Sequence, residues 1–155
     1  MDKPPTEFVE PYAEGAIVSL TVAFENLAKH ITMVELDENV AAVWQVILEG
    51  DAGQLAGRII SFVMTPESLN AELNVKPATR QRLAFQTILR NRTNHGGILA
   101  PGSGKLKYGE NGKGVLSRWY PQTLKQRILD IVQVRDRISF VAGDGFDVLR
   151  KLAQP

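Results

Sequence analysis

Acidic side chains close two of the predicted strands in this sequence. Glu35 and Asp37 end the apolar run "MVELD", and Asp144 ends the run "VAGD". A carboxylate at the end of a strand can accept hydrogen bonds from ribose hydroxyls or from the exocyclic amine of adenine, and Phe146 is close enough in sequence to cover a base. The spacing therefore predicts a nucleoside-like ligand. Asp37 has a second interpretation, as the cap of a helix that begins at residue 38.

The elements that position these acids follow a β-α-β-α pattern. We predict strands over 7–12 and 30–37, and a helix over 38–50 that ends at a glycine. Between the strands, residues 15–28 have the apolar spacing of one helix face, at Ile17, Leu20, Phe24 and Leu27. A crossover of this kind makes the two strands parallel, with their carboxyl ends on the same edge of the sheet.

The rest of the chain predicts helices, one long loop and a return to the sheet. Residues 51–92 are expected to be mostly helical, with Pro77 at the start of a helix over 77–92 whose stripe is Ala84, Phe85, Ile88 and Leu89. Residues 93–118 contain seven glycines and predict a loop. A helix over 121–132, a strand over 137–144 and a helix over 145–154 complete an α/β fold.

Composition excludes several classes of protein. The 155 residues are 44% hydrophobic and 23% charged, which is typical of one folded domain. The chain has no cysteine and two histidines, so we expect no disulfide and no metal centre. No apolar stretch reaches the roughly 20 residues of a membrane helix, and the N-terminus does not resemble a signal peptide. We therefore expect a cytoplasmic protein.

Charge is segregated along the chain. Residues 1–75 hold 3 basic and 12 acidic residues, whereas residues 76–128 hold 11 basic residues and a single acid, Glu110. This second range, the basic segment, predicts a surface for a polyanion. The alternative is that its charges only solvate two helices and a loop.

The segments 8–16, 34–39, 88–97 and 138–149 carry motifs that, in this order, resemble those of the Dam-like DNA adenine N6-methyltransferases. "FVEPYAEGA" is similar to that family's S-adenosylmethionine motif F-x-E-P-F-x-G-x-G, and "VELDEN" to the ribose-binding acid that follows it. "ILRNRTNHGG" resembles an N-R-T segment followed by glycine, and "ISFVAGDGFDVL" an adenine-contacting D-F segment. The resemblance runs from about Phe8 to Leu149.

The resemblance implies a Rossmann-like S-adenosylmethionine-dependent methyltransferase fold that methylates adenine in double-stranded DNA, as in restriction-modification systems. Residues 1–50 would be the cofactor-binding half, 51–134 a helical and basic DNA-recognition insertion, and 135–155 the returning strand and helix. Cofactor contacts would come from Phe8, Glu10, Pro11, Ala13, Gly15, Glu35, Asp144 and Phe146. DNA contacts would come from Asn91, Arg92, Thr93, Lys105, Lys107, Lys113 and Arg118.

The chain departs from the family at two places. Glu14 stands where the motif has glycine, and we expect it to weaken cofactor binding by crowding. The catalytic Asp/Asn/Ser-Pro-Pro-aromatic tetrapeptide is missing, because the one Pro-Pro pair, Pro4-Pro5, lies between Lys3 and Thr6. We therefore expect a methyltransferase truncated after Pro155, with an incomplete sheet and an unpaired edge at 7–12.

Two other functions remain open from the sequence. The chain could be a DNA-binding remnant without catalysis, or half of a split enzyme completed by a second chain. A flipped base would also need an aromatic platform, for which Trp119 and Tyr120 are candidates, although core packing is the more common role of such residues.

Overall fold

The protein has an α/β fold built on a small parallel sheet. A computed structural model describes residues 3–107 and 112–154, so that the expected truncation point at Pro155 and part of the basic loop, Tyr108 to Asn111, lie outside the described residues. The strands are β1 (Glu7–Glu10), β2 (His30–Glu35) and β3 (Ile138–Ala142). The helices are α1 (Ile17–Phe24), α2 (Glu38–Glu49), α3 (Ala52–Ser61), α4 (Pro66–Leu73), α5 (Arg80–Thr93), α6 (Pro121–Val134) and α7 (Gly145–Leu152).

The sheet has the strand order β1-β2-β3, with both pairs parallel. Phe8 is opposite Ile31 in one pair, and Val34 is opposite Val141 in the other. The predicted parallel crossover is therefore confirmed. Among the described residues β1 pairs only with β2, so no strand pairs with the other side of β1.

Helix α1 is shorter than the predicted helix over 15–28. It ends after Phe24 because Asn26 adopts a left-handed backbone, with φ of 55°. The amide of Leu27 donates to the carbonyl of Val22 at 3.0 Å and that of Asn26 to Ala23 at 3.4 Å, which is the Schellman arrangement. Leu27, which we predicted within the helix, lies beyond its end.

Helix α2 has nearly its predicted bounds, because both ends carry local signals. The Asp37 carboxylate accepts hydrogen bonds from the amides of Asn39 at 2.8 Å and Val40 at 3.1 Å. The capping interpretation of Asp37 is therefore confirmed. Gly50 follows the last helical residue, as predicted.

Helix α5 begins later than predicted. Pro77 is not its first residue; the helix begins at Arg80, after Thr79, whose side chain accepts a hydrogen bond from the amide of Arg82 at 3.2 Å. Threonine satisfies an unpaired amide of the first turn, which proline cannot do, and this determines where the helix starts. The predicted apolar stripe is confirmed at Ala84, Phe85 and Leu89, which are fully buried, while Ile88 is half-buried and packs on the core.

The second half of the chain agrees with the expected order of elements. The described part of 93–118 is irregular apart from two short 3-10 turns, His95–Gly97 and Gly114–Leu116. Helix α6, strand β3 and helix α7 lie within two residues of their predicted bounds.

One hydrophobic core joins all three segments of the predicted domain division. Its members come from the sheet, from the helices between 51 and 134, and from β3; among them are Ile31, Met33, Ile47, Leu55, Ile59, Phe85, Ile128 and Ile138. The helical segment therefore packs on the sheet segment as part of the same core. The assignment of separate cofactor and DNA roles to these segments stays a prediction.

A half-buried carboxylate holds the helical segment together. Glu72 at the end of α4 forms ion pairs with Arg58 of α3 at 3.1 Å and with Arg82 of α5 at 2.9 Å. The amide of Gln86 donates to the Glu72 carbonyl at 2.8 Å. Burial alone would raise the pKa of Glu72, but the hydrogen bond from Arg82 and the charges of both arginines outweigh it, so this pKa lies below its ordinary value.

We expect the substitution Glu72→Gln to lower stability at pH 7 and to flatten the loss of stability in acid. Because the folded pKa is depressed, the Glu72 carboxylate stabilises the fold fully above its ordinary pKa of 4.5, and this contribution is lost as the pH falls through the folded value. Urea unfolding between pH 7 and pH 3 measures the effect. The control is Glu67→Gln, an exposed residue of the same helix; equal pH profiles for the two variants would contradict this prediction.

Candidate functional site

The carboxyl ends of the three strands meet at one edge of the sheet, as the sequence predicts. The amide of Ala13, after β1, donates to the Val34 carbonyl at 2.9 Å, and the amide of Gly143, after β3, donates to the Glu35 carbonyl at 2.9 Å. Tyr12 and Phe146 meet edge to face, with ring centroids 5.8 Å apart. The structure therefore brings the segments 11–16, 35–37 and 143–146 together.

Glu35 is the central acid of this edge. It is 8% exposed, and its two oxygens accept hydrogen bonds from the amides of Glu14 at 2.7 Å and Asp37 at 2.8 Å. These bonds fix the carboxylate against the turn that follows β1. An ionised carboxylate has about four acceptor positions, so Glu35 can still accept a hydrogen bond from a ligand hydroxyl.

The turn over 13–16 is also held from the side of α2. The indole nitrogen of Trp44 donates to the Glu14 carbonyl at 2.8 Å, so both polar backbone groups of Glu14 are bonded. Trp44 was not among the site residues predicted from the sequence. A tryptophan on the buried face of a helix could have indicated such a contact, because a buried indole N–H requires an acceptor.

Two residues of the turn have a left-handed backbone. The φ angles are 43° at Glu14 and 52° at Ala16, which are the positions where the motif F-x-E-P-F-x-G-x-G has glycine. A residue with a side chain is strained there by about 1 kcal/mol. Gly15 itself is not in this region, and no atom lies within 4 Å of the position a side chain would occupy, so the space beside it is open.

The side chain of Glu10, the last residue of β1, reaches the start of α1. Its carboxylate accepts a hydrogen bond from the amide of Ser19 at 3.0 Å, while Ala16 at the N-cap offers no side-chain acceptor. Glu10 therefore stabilises the N-terminus of α1. The hydroxyl of Ser19 is fully buried and has no hydrogen-bond partner among the described residues. An unpaired buried hydroxyl of this kind is uncommon in folded proteins.

Asp144 and Phe146 form the third part of the edge. The Asp144 side chain caps α7 by accepting from the amide of Phe146 at 2.7 Å, and the Phe146 ring is 62% exposed. Partial desolvation and then the negative charge of Asp144 raise the pKa of the Tyr12 phenol. Gly145 contacts the Pro11 carbonyl so closely that a Cβ atom would lie 2.0 Å from the oxygen, so only glycine fits here.

The remaining predicted cofactor residues support the turn. Phe8 is half-buried in β1 and packs on the core, and Ala13 is buried. Pro11 ends β1 because it has no amide hydrogen to donate to a neighbouring strand.

The predicted DNA contacts collect at the carboxyl end of α5. Arg118 donates to the carbonyls of Asn91 at 3.1 Å and Asn94 at 3.3 Å, and Asn91 donates to the Gly97 carbonyl at 3.3 Å. Burial, followed by the charges of Arg118 and Arg127, lowers the pKa of Arg92. Three guanidinium groups therefore lie near one another, which favours an anionic partner.

The loop after α5 folds back on the helix end. Lys105 forms an isolated antiparallel bridge with Asn94, and its ammonium donates to the Asn94 side chain at 2.9 Å. Burial and the charge of Arg90 lower the pKa of Lys105. Thr93 is fully buried and donates to the Leu89 carbonyl at 2.7 Å, so in this structure it supports the helix end and offers no surface to DNA.

Exposed groups complete the basic surface. Lys107 and Lys113 are exposed on either side of residues 108–111. Trp119 is buried, and its ring centroid lies 6.1 Å from that of Phe62, so it packs in the core. Tyr120, in contrast, is 57% exposed. Of the two aromatic residues, only Tyr120 is accessible to a base.

The described residues also bear on membranes and metals. No helix within 3–107 and 112–154 is long and apolar enough to cross a membrane. In those same ranges, no three His, Cys, Asp or Glu side chains are grouped closely enough to bind a metal ion.

Comparisons with known proteins do not assign a family. No protein-family model matches the chain, and the search of curated proteins gives no match.

We expect Glu14→Gly to raise the free energy of unfolding by about 1 kcal/mol, because glycine adopts a left-handed backbone without strain. If the turn binds S-adenosylmethionine, as the resemblance implies, the same change should tighten that binding by removing a side chain from the turn. Thermal unfolding and calorimetry measure the two effects. Glu14→Ala is the matched control, since it removes the carboxylate but keeps the strain; if alanine stabilised as much as glycine, backbone strain would not be the cause.

Proposed function

We propose that this chain binds S-adenosylmethionine and double-stranded DNA as part of a site-specific DNA adenine N6-methyltransferase. The observation that carries the proposal is the turn over 13–16, where the two glycine positions of the motif are the two left-handed residues and the acid of the next strand binds the turn. The proposal includes a Rossmann-like methyltransferase fold and a cytoplasmic location.

The residues at the sheet edge fit this cofactor in type. Glu35 retains acceptor positions for ribose hydroxyls, and the exposed Phe146 ring beside Asp144 suits an adenine. The open space beside Gly15 is where the methionine part would bind. Bound S-adenosylmethionine would supply the methyl group.

The basic cluster supports the DNA part of the proposal. Arg92, Arg118 and Arg127 lie near one another without an ion pair to any acid in the described part of the chain, and Lys107 and Lys113 extend this surface. Arginine and lysine are the residues expected to contact phosphates. Arg82 belongs to the basic segment but is paired with Glu72, so we exclude it from the proposed surface.

The catalytic tetrapeptide has no counterpart within residues 1–155. The proposal therefore assigns to this chain the binding of cofactor and DNA. The catalytic side chains would come from polypeptide outside these residues, either in the same protein or in a second chain.

A second candidate is a DNA-binding protein without cofactor. It is favoured by one observation: Glu10, Glu35 and Asp144 each bond to backbone amides, so all three acids have a role in the fold alone. Cofactor binding separates the two candidates.

We expect Phe146→Ala to weaken S-adenosylmethionine binding about fivefold, because the ring would stack on adenine and such contacts contribute about 1 kcal/mol. Isothermal titration calorimetry is the measurement. Leu152→Ala is the control, since Leu152 is 58% exposed on the same helix and lies outside the proposed contact. No binding by the unmodified chain would reject the cofactor and favour the second candidate.

We expect duplex DNA binding to weaken steeply with salt, and Lys107→Gln or Lys113→Gln to reduce the slope of log K against log salt by about 0.9 each. One phosphate contact is lost in each variant. Fluorescence anisotropy at several salt concentrations gives the slope. The control is Lys29→Gln, at an exposed lysine in the acidic half of the chain, which should leave the slope unchanged. If Lys29→Gln reduced the slope equally, net charge and not this surface would determine binding.

A further inference from the structure

We propose that a cleft between the start of α2, helix α5 and the loop over 99–101 binds a single nucleotide of DNA. The base would lie on its apolar wall and the phosphate on Arg90. This inference rests on the proposed DNA-binding function and names a second site, which adjoins the sheet edge at the start of α2.

The size of the cleft suits one nucleotide. Its volume is about 290 Å³, near the lower end of the roughly 300–1,000 Å³ range of ligand sites. Its apolar wall consists of four residues, Pro77, Leu83, Leu99 and Pro101. Apolar side chains in a cleft favour the flat face of a base, whereas a free inorganic anion would gain nothing from them.

Three polar side chains also line the cleft. Arg90 makes no side-chain hydrogen bond or ion pair within residues 3–107 and 112–154. Thr87 donates its hydroxyl hydrogen to the Leu83 carbonyl at 2.8 Å, which leaves its oxygen able to accept. Asn39, in the first turn of α2, adds a carboxamide that can both donate to and accept from a base edge.

The charge on the α5 side of the cleft favours an anion. The Lys105 ammonium lies close enough to Arg90 for the arginine charge to lower the lysine pKa. No acidic residue occurs in the sequence from 73 to 109, whereas Asp37 and Glu38 directly precede Asn39 on the α2 side. A phosphate would therefore bind on the α5 side, next to Arg90.

Helix capping does not account for Arg90. A cation at the end of a helix usually stabilises its last carbonyl groups. At the end of α5 this role belongs to Arg118, which donates to the carbonyls of Asn91 and Asn94. Within residues 3–107 and 112–154, nothing therefore occupies the Arg90 side chain, and a ligand can contact it.

Nuclear magnetic resonance of the ¹⁵N-labelled chain tests the site with thymidine 5′-monophosphate as the probe. We expect saturable shifts of the Asn39, Thr87 and Leu99 amides. Arg90→Gln should weaken binding about tenfold, the loss expected for one charge-assisted hydrogen bond. Leu99→Trp, a half-buried position that would fill the cleft, should abolish the shifts. Arg80→Gln, the same charge change at an exposed position of α5, should leave them unchanged.

Two outcomes overturn the proposal. One is the absence of saturable shifts in the cleft of the unmodified chain. The other is an affinity for inorganic phosphate equal to that for thymidine 5′-monophosphate, which would show that the cleft binds an anion and does not recognise the base. The titration contains no S-adenosylmethionine, so its result is independent of the cofactor experiment. A chain that binds the nucleotide here but not the cofactor refutes the methyltransferase proposal alone, and the reverse result refutes only this inference.

Discussion

The Glu35 carboxylate is the contact on which the rest of the sheet edge depends. It lies at the end of the central strand and bonds to the amides of Glu14 and Asp37. Through Glu14 it fixes the turn that leads into α1, and through Asp37 it positions the residue that caps α2. One buried acid thus links β1, β2 and both crossover helices. A buried carboxylate is tolerated only when its hydrogen bonds are satisfied, and here backbone amides satisfy it.

Three acids of this edge act at helix starts. Glu10 bonds to the first turn of α1, Asp37 to that of α2 and Asp144 to that of α7. In a parallel sheet each strand end is followed by a helix start, where unpaired amides and the helix dipole favour negative charge. The same carboxylates can therefore cap helices and contact a ligand at the same place, as long as they retain acceptor positions.

The order of elements could be predicted because it depends on local periodicity and on local caps such as Asp37. The first residues of helices were harder to predict. Pro77 suits the start of α5, yet Thr79 offers a side-chain acceptor and the helix begins after it. Contacts between distant residues were beyond prediction. Trp44 binds a carbonyl 30 residues away, and Glu72, from the acidic half of the chain, neutralises Arg82 of the basic segment. Such pairs depend on tertiary packing, which a single sequence does not reveal.

The most direct test of this account follows the backbone amides of Glu14, Gly15, Ala16 and Asp37 by nuclear magnetic resonance as S-adenosylmethionine is added. If the turn held by Glu35 is the cofactor site, these amides shift together and saturate with a single dissociation constant, while amides of α5 remain in place. Saturable shifts elsewhere with none in this turn, or no shifts at all, would contradict the account.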